Sequence, residues 1–265
     1  MNQERQHAAK QLLANAAIVL VGPKFPENVG SAARTAMNMG IGRLILVCPE
    51  LPDREKMLKL ATQKATHLID TIERYDELGE ALAPFAWVIG TSARQGKNRS
   101  TCKSPRQIMA DVLPQLKENR VALLFGPEDR GLANEELLYC NQVTTIPTAD
   151  FSSLNLAQAV AILCHELHYS LLEALSQGSL TFVPRQAEKA EIEAMYSHVQ
   201  EALIAVDFFK SSEADYWMKG LRQFLGRIGL RNKEIRIIRG FCKQLLWREG
   251  RREKETTGQA MPMED

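Results

Sequence analysis

The sequence predicts an α/β fold, a mainly parallel sheet followed by a small C-terminal helical extension, and three features carry that expectation. Bare apolar runs of strand length, AAIVLV at Ala16–Val21 and VALLF at Val121–Phe125, lack polar alternation, as strands covered on both faces do. Helical patterns stand between such runs, the order expected of a parallel sheet built from crossover units. From Gln186 onward only helical patterns occur, so a second, smaller unit follows the sheet.

Taken in order, the first sixteen residues match no motif, and Ala16–Val21 opens the sheet. It runs into GPKFPENVG, where two prolines and two glycines precede a helix that starts near Glu27 or Asn28 and ends at Gly40. Gly30 and Ser31 stand one turn before Arg34, so the arginine stem is expected to lie over a nearly bare backbone. Arg43–Cys48 is the second strand, closed by Pro49, and Asp53–Leu82 holds two or three short helical patterns in which His67 reads as solvated. Phe85–Gly90 is the next strand. The basic loop TSARQGKNRS after it, with Ser92, Arg94, Lys97 and Arg99, suits phosphate or ribose contact.

Ser104–Leu116 is amphipathic, and Val121–Phe125 leads into a turn, Gly126–Gly131, that carries Glu128, Asp129 and Arg130 between its glycines. At the carboxyl end of a central strand, such a turn reads as part of a site. Gln142–Ile146 is rich in β-branched residues, Pro147 stops its ladder, and Ser152 or Ser153 offers an N-cap oxygen. Leu156, Val160, Leu163, Leu167 and Leu171 then recur at helical spacing. The first-turn N–H groups of that helix lie at a strand's carboxyl end, where open α/β sheets bind ligands, so this joint is the expected cofactor site. SQGSLTFVPR, Ser176–Arg185, breaks the helical period and reads as a linker. Helices follow at Gln186–Phe209, Glu213–Ile228 and Asn232–Arg248, with Trp217, Phe224 and Trp247 among the aromatics available for a small core, and the end of the chain has little to bury and is expected to be disordered.

A chain of 265 residues, 45% hydrophobic and 25% charged, can bury a full α/β core and carry an appendage. Its net charge of +1 is unevenly spread: Lys219 to Lys254 holds twelve Lys/Arg against three acids, a local balance of +9 that leaves −8 for the remainder. That asymmetry points to a polyanion-binding end, with Arg222, Arg231, Arg236, Arg239 and Lys243 on its surface. The five cysteines are scattered and form no CxxC pair, which indicates neither zinc nor a disulfide framework and fits a reduced cytoplasm. No apolar run reaches membrane length, so neither secretion nor a membrane span is expected.

Spacing sets several chemistries aside. No GxGxxG follows Val21, and neither GxxxxGK[ST] nor GxSxG occurs. His165 and His168 in CHELH lack HExxH spacing and read as packed or interface residues. What remains is three loops after parallel strands, at Thr91–Arg94, Gly126–Gly131 and Ile146–Asn155, plus one arginine on the first helix. Such loops can read an adenine edge but bring no nucleophile, so the electrophile must come from a cofactor.

PENVGSAARTAMNMG, LLFGPEDRGL and IPTADFSSLNLAQAV resemble, in order and spacing, the three motifs of the SpoU/TrmH branch of the SPOUT methyltransferases. With its basic helical extension, the chain is most similar to the bacterial tRNA (cytidine/uridine-2′-O-)-methyltransferases, which modify position 32 of the anticodon loop. The resemblance implies a deep trefoil knot, which general folding rules would not suggest, bound S-adenosyl-L-methionine and a homodimer. It places Asn28 and Arg34 on the first motif, Gly126 and Glu128 on the second, Ser153 and Asn155 on the third. Arg34, Asn28, Glu128, Ser153 and Asn155 are thereby implied as catalytic, and Thr91, Ser92, Ala93, Gly126, Ile146, Ser153, Leu154 and Asn155 as lining the cofactor. The catalytic part would span residues 1–176, the linker 177–185, the RNA-binding extension 186–250 and the tail 251–265, with Arg94 and the basic residues of the extension on tRNA. The implied reaction is in-line transfer of a sulfonium methyl group to a ribose 2′-oxygen. A free guanidinium is protonated at ordinary pH, so Arg34 suits a clamp better than a base, and Glu128 would either orient Arg34 or lie near the sulfonium. Two other functions share these features: 2′-O-methylation of ribosomal RNA, and RNA binding without catalysis.

Overall fold

The computed structural model describes residues 3–93, 103–226 and 228–256, with side chains described as far as Arg252. In chain order the first elements are α1 (Gln3–Leu13), β1 (Ala16–Val21), α2 (Pro26–Asn38), β2 (Leu44–Val47), α3 (Arg54–Leu60), α4 (Thr66–Asp70), β3 (Glu73–Tyr75) and α5 (Leu78–Leu82). There follow β4 (Trp87–Thr91), α6 (Pro105–Val112), β5 (Val121–Phe125), α7 (Asn134–Leu137), β6 (Gln142–Thr144) and α8 (Leu156–Gln177). The chain closes with α9 (Lys189–Ala205), α10 (Ala214–Leu225) and α11 (Asn232–Thr256).

The six strands form one sheet in the order β3-β2-β1-β5-β4-β6, and every pairing is parallel. Side chains alternate across it: Ile18, Leu20, Leu44, Leu46, Leu123 and Phe125 enter the core beneath α1, α2, α6 and α8, while Ala17, Val19, Ile45, Ala122 and Leu124 face the side covered by α5. Because both faces are covered, β1 is buried along its whole length, which is why its sequence shows no alternation. Burying one such Leu or Ile stabilises the fold by about 1.5–3 kcal/mol, and Leu20→Ala should cost about 2–5 kcal/mol.

Departures from the pattern-based reading have local causes. The N-terminal segment, which matches no motif, forms α1 and buries Ala9 and Leu13 in the core that α8 also covers. β3 escapes notice because Glu73, Arg74 and Tyr75 carry no apolar signal; it is an edge strand, tied to β2 by Arg43, whose Nε lies 2.6 Å from Glu73 Oε1. Gly30 does not serve as a bare bed for the Arg34 stem. It lets α2 approach α3, since a Cβ there would fall 1.9 Å from the Met57 carbonyl oxygen. Pattern alone ends α11 at Arg248 and leaves 251–265 to a disordered tail; the helix runs on to Thr256, and 257–265 lie outside the described residues.

Helices α9, α10 and α11 enclose their own core, with Met195, Phe209, Met218, Ile235 and Cys242 buried in it. The stretch leading into it is stitched to the sheet unit. Val183 N–H donates to the Pro114 carbonyl at 3.0 Å, and Gln186 N–H to Asn119 Oδ1 at 2.7 Å. The first N–H groups of α9, at Lys189 and Ala190, bond the Phe85 and Ala83 carbonyls at 2.9 and 3.1 Å, partners that no residue of the helix itself could supply. The Lys189 side chain is buried at this junction, where its Nζ donates to Asn141 Oδ1 at 2.8 Å, and burial pulls its ammonium down to about 8.

Candidate active site

β1 and β5 lie side by side at the centre of the sheet, while the chain leaves β1 in one direction toward β2 and β3. Loops after such strands splay apart at their carboxyl ends and leave a crevice. The cleft, of about 250 Å³, lies on the β5–β4 side of that point, lined by Thr91, Ser92 and Ala93 at the end of β4, by Gly126 to Leu132 after β5, and by Ile146, Ser152, Ser153 and Leu154 before α8. The three loops singled out in the sequence therefore meet. Phe125, Leu132, Leu156 and Ala159, which lie within the second and third motifs, add apolar lining.

The start of the β4 loop is held by Thr91 Oγ1, which donates to the Leu124 carbonyl at 3.2 Å, and by Ser92 N–H, which donates to the Thr144 carbonyl at 3.0 Å. The β5 loop closes on itself through Gly131 N–H to the Pro127 carbonyl at 2.9 Å, with Gly131 at φ +65°. A Cβ at Gly126 would lie 2.2 Å from the Gly131 carbonyl carbon, so this glycine permits the loop's own tight path.

Behind the cleft runs a chain of amides whose orientations are mutually fixed. The Glu128 carboxylate can only accept; Oε1 takes a hydrogen from Asn28 Nδ2 at 2.6 Å and Oε2 one from the Lys24 N–H at 2.9 Å. That leaves Asn28 Oδ1 to accept from Asn155 Nδ2 at 3.0 Å, and Asn155 Oδ1 to cap α8 by accepting from the Ala157 and Gln158 N–H groups at 2.9 and 3.4 Å. The cap of α8 is thus Asn155 rather than Ser152 or Ser153. Asn155 lies outside the cleft lining, and it ties the end of the third loop to the first helix.

Lys24, which no motif names, pairs through Nζ with Asp129 at 2.6 Å at the cleft's edge and holds that carboxyl below the usual range. Arg34 stands apart from this assembly. It is exposed on α2, roughly 9 Å along the helix axis from Asn28 at the usual rise per residue, and it is not a partner of Glu128. In this chain the Glu128 carboxylate is engaged by Asn28 and the Lys24 N–H rather than by Arg34.

His168 Nδ1 meets the Met39 carbonyl at 3.1 Å, so it is packed, whereas His165 is exposed and stacks on Tyr169. Among the described residues no group of three or more His, Cys, Asp or Glu is placed to hold a metal ion, and no helix is long and apolar enough to cross a membrane. In the extension, Arg231, Arg236, Arg239 and Lys243 are exposed. Arg222, expected beside them, instead turns inward: it pairs with Glu193 at 2.6 Å and lies over the Tyr196 ring at 4.5 Å. Arg94 lies outside the described residues.

Fold and cleft together define a parallel α/β protein with a ligand crevice at its strands' carboxyl ends. Residues 15–165 match the model of the SpoU rRNA Methylase family, and the chain belongs to that family. Residues 190–257 match a second model, described as the tRNA methyltransferase TrmJ C-terminal domain. The chain is 35% identical over 240 residues to a tRNA (cytidine/uridine/adenosine-2′-O-)-methyltransferase TrmJ of Pseudomonas aeruginosa, covering 86% of this chain and 92% of that one. It is 32% identical over 243 residues to the tRNA (cytidine/uridine-2′-O-)-methyltransferase TrmJ of Escherichia coli K12, covering 88% and 96%. Among solved structures it is similar to TrmJ from Z. mobilis ZM4, with a TM-score of 0.74, 29% identity and coverage of 87% and 98%.

Proposed function

We propose that this chain is an S-adenosyl-L-methionine-dependent methyltransferase of tRNA that modifies a ribose 2′-hydroxyl, at the pyrimidine nucleotide of anticodon-loop position 32. The observation that carries the reading is the meeting of three separate loops in one cleft, in a chain whose relatives named as tRNA 2′-O-methyltransferases align with it through the extension as well. Mapping 2′-O-methyl groups in RNA from cells lacking the protein tests it. Loss at tRNA position 32 is expected, and loss confined to ribosomal RNA would overturn it in favour of the rival substrate.

The cleft suits the cofactor. Its volume is near the lower end of small-molecule sites, about 300 Å³, and backbone with Ile146, Leu154 and Leu156 makes an apolar slot for an adenosine. When bound, S-adenosyl-L-methionine would supply an activated methyl group on a sulfonium. Thr91, Ser92, Ala93, Gly126, Ile146, Ser153 and Leu154 would hold it, and the Glu128 carboxylate puts a negative group on that side of the cleft, where Asp129 is already paired with Lys24. Asn28 and Asn155 act through Glu128 and the α8 cap, as positioning residues. Exposed Arg34 would clamp a phosphate and the 2′-oxygen of the substrate, favouring alkoxide character while the proton leaves to water or a phosphate oxygen.

The reading includes a trefoil knot in the C-terminal part of the catalytic unit, a cytoplasmic setting and a homodimer, for which α8 leaves Ile162, His165 and Tyr169 at least partly open. It divides the chain into a catalytic unit to about residue 176 and an RNA-gripping unit from 186, supported by the separate core of α9 to α11.

A further inference from the structure

Helix α11 turns toward solvent a face that the proposed chemistry does not use. At 3.6 residues per turn, Arg236, Gly240, Lys243 and Trp247 fall in one stripe about 60° wide, away from the Ile235–Cys242 side that closes the third core. All four are exposed, Trp247 by 57%. A Cβ on Gly240 would meet nothing within 4 Å, so the stripe has a shallow gap at its middle. Arg236 leans back along it, its Nε donating to the Asn232 carbonyl at 3.3 Å, and the Arg251 guanidinium lies 5.8 Å from the Trp247 ring centroid. Between Glu234 and Glu249 the helix has no acid and four cations, Arg236, Arg239, Lys243 and Arg248.

We infer that this stripe is a contact surface for single-stranded loop RNA, on which Trp247 stacks against an unpaired base. Arg236 and Lys243 hold the flanking phosphates, and Gly240 lets the strand lie close to the helix. The inference rests on the tRNA reading above and adds to it a base-contacting residue. Charge selects the partner. A second copy of the same stripe would set Arg236 and Lys243 against their own kind, whereas a polyanion meets these two cations, with Arg239 and Arg248 to either side, and no carboxylate between Glu234 and Glu249. The indole selects the form of RNA. Base faces are stacked inside a duplex and free in a loop, and stacking on an aromatic ring tolerates any base.

The test uses the full chain with Trp247→Ala, Trp247→Phe and Lys243→Ala, an unmodified tRNA transcript and a blunt RNA duplex, each titrated across a salt series. Trp247→Ala should weaken tRNA about tenfold, leave the duplex unaffected and leave the salt slope unchanged, while Trp247→Phe keeps most of the affinity. Lys243→Ala should lower the log–log salt slope by roughly 0.7 to 0.9 for both RNAs. Equal tRNA affinity of wild type and Trp247→Ala would overturn the inference, as would an equal loss on the duplex. A changed sedimentation coefficient for Trp247→Ala, with RNA affinity intact, would assign the face to an interface between copies. If wild type binds no tRNA at all, it is the functional reading that fails.

Discussion

Asn155 and Asn28, far apart in the chain, are joined by a 3.0 Å hydrogen bond whose direction is dictated at both ends: by the Glu128 carboxylate beyond Asn28 and by the α8 N–H groups beyond Asn155. Neither amide can flip without setting acceptor against acceptor or donor against donor. Asn155→Asp keeps an oxygen for the cap but gives Asn28 two accepting neighbours. It should therefore melt near the wild type and lose most methyl transfer. Asn155→Ala should lose transfer and also about 1 kcal/mol of stability as the cap goes. Melting curves and single-turnover methylation of a tRNA transcript separate the two.

S-adenosylhomocysteine should raise the melting temperature, because a ligand that binds only the folded state stabilises it. Ala93→Trp, which places a large ring at the mouth of the cleft, should abolish the shift while leaving the unliganded melt nearly unchanged. Gly126→Val is a different experiment: its side chain would strike the Gly131 backbone, so it should lower stability whether or not ligand is present. A wild type that shows no shift at saturating ligand would count against the cleft as the cofactor site.

Arg34 is exposed and outside the cleft, so Arg34→Ala should leave fold and cofactor affinity alone while removing most turnover. Arg34→Lys should fail as well, since one ammonium cannot reproduce a planar fork. Near-normal turnover in Arg34→Ala would make it an ordinary surface residue.

Ending the chain at Arg185 removes the donors that reach Asn119 and the Ala83 and Phe85 carbonyls, and uncovers the groups packed around Lys189. The truncated chain should still bind S-adenosylhomocysteine, melt several degrees lower and bind tRNA poorly with a flatter salt dependence. Equal affinity and equal slope in filter binding would remove the extension from the RNA site.

Lys189 gives the junction a pH signature. Its folded value, about 8, lies below the ordinary 10.5, so between those limits the unfolded chain holds more protons and stability rises with pH. Below about 8 both states are protonated and the penalty is constant. Lys189→Met has no such term, so wild type should gain on it by an order of 1 to 3 kcal/mol between pH 8 and 10. Denaturant midpoints of the two proteins at three pH values measure it, and parallel curves would show that the lysine is not desolvated.

The apolar runs of β1 and β5 and the glycine-marked loops could be read directly, because strands covered on both faces must be continuously apolar and tight turns need glycine or proline. By themselves these determined the parallel α/β class and the three loops that line the cleft. What depends on residues distant in sequence had to wait for the tertiary structure. Asn155 as a cap bonded to Asn28, Lys24 against Glu128 and Asp129, and Gly30 against Met57 each join segments that have no local signal for one another. The same holds for charge. Arg222 reads as a surface cation, yet folding turns it onto Glu193 and Tyr196, and Lys189, which carries no signal in the sequence, is buried against Asn141. Periodicity reports which face of a helix is apolar, but only packing decides whether a cation at the margin of that face meets water or a partner.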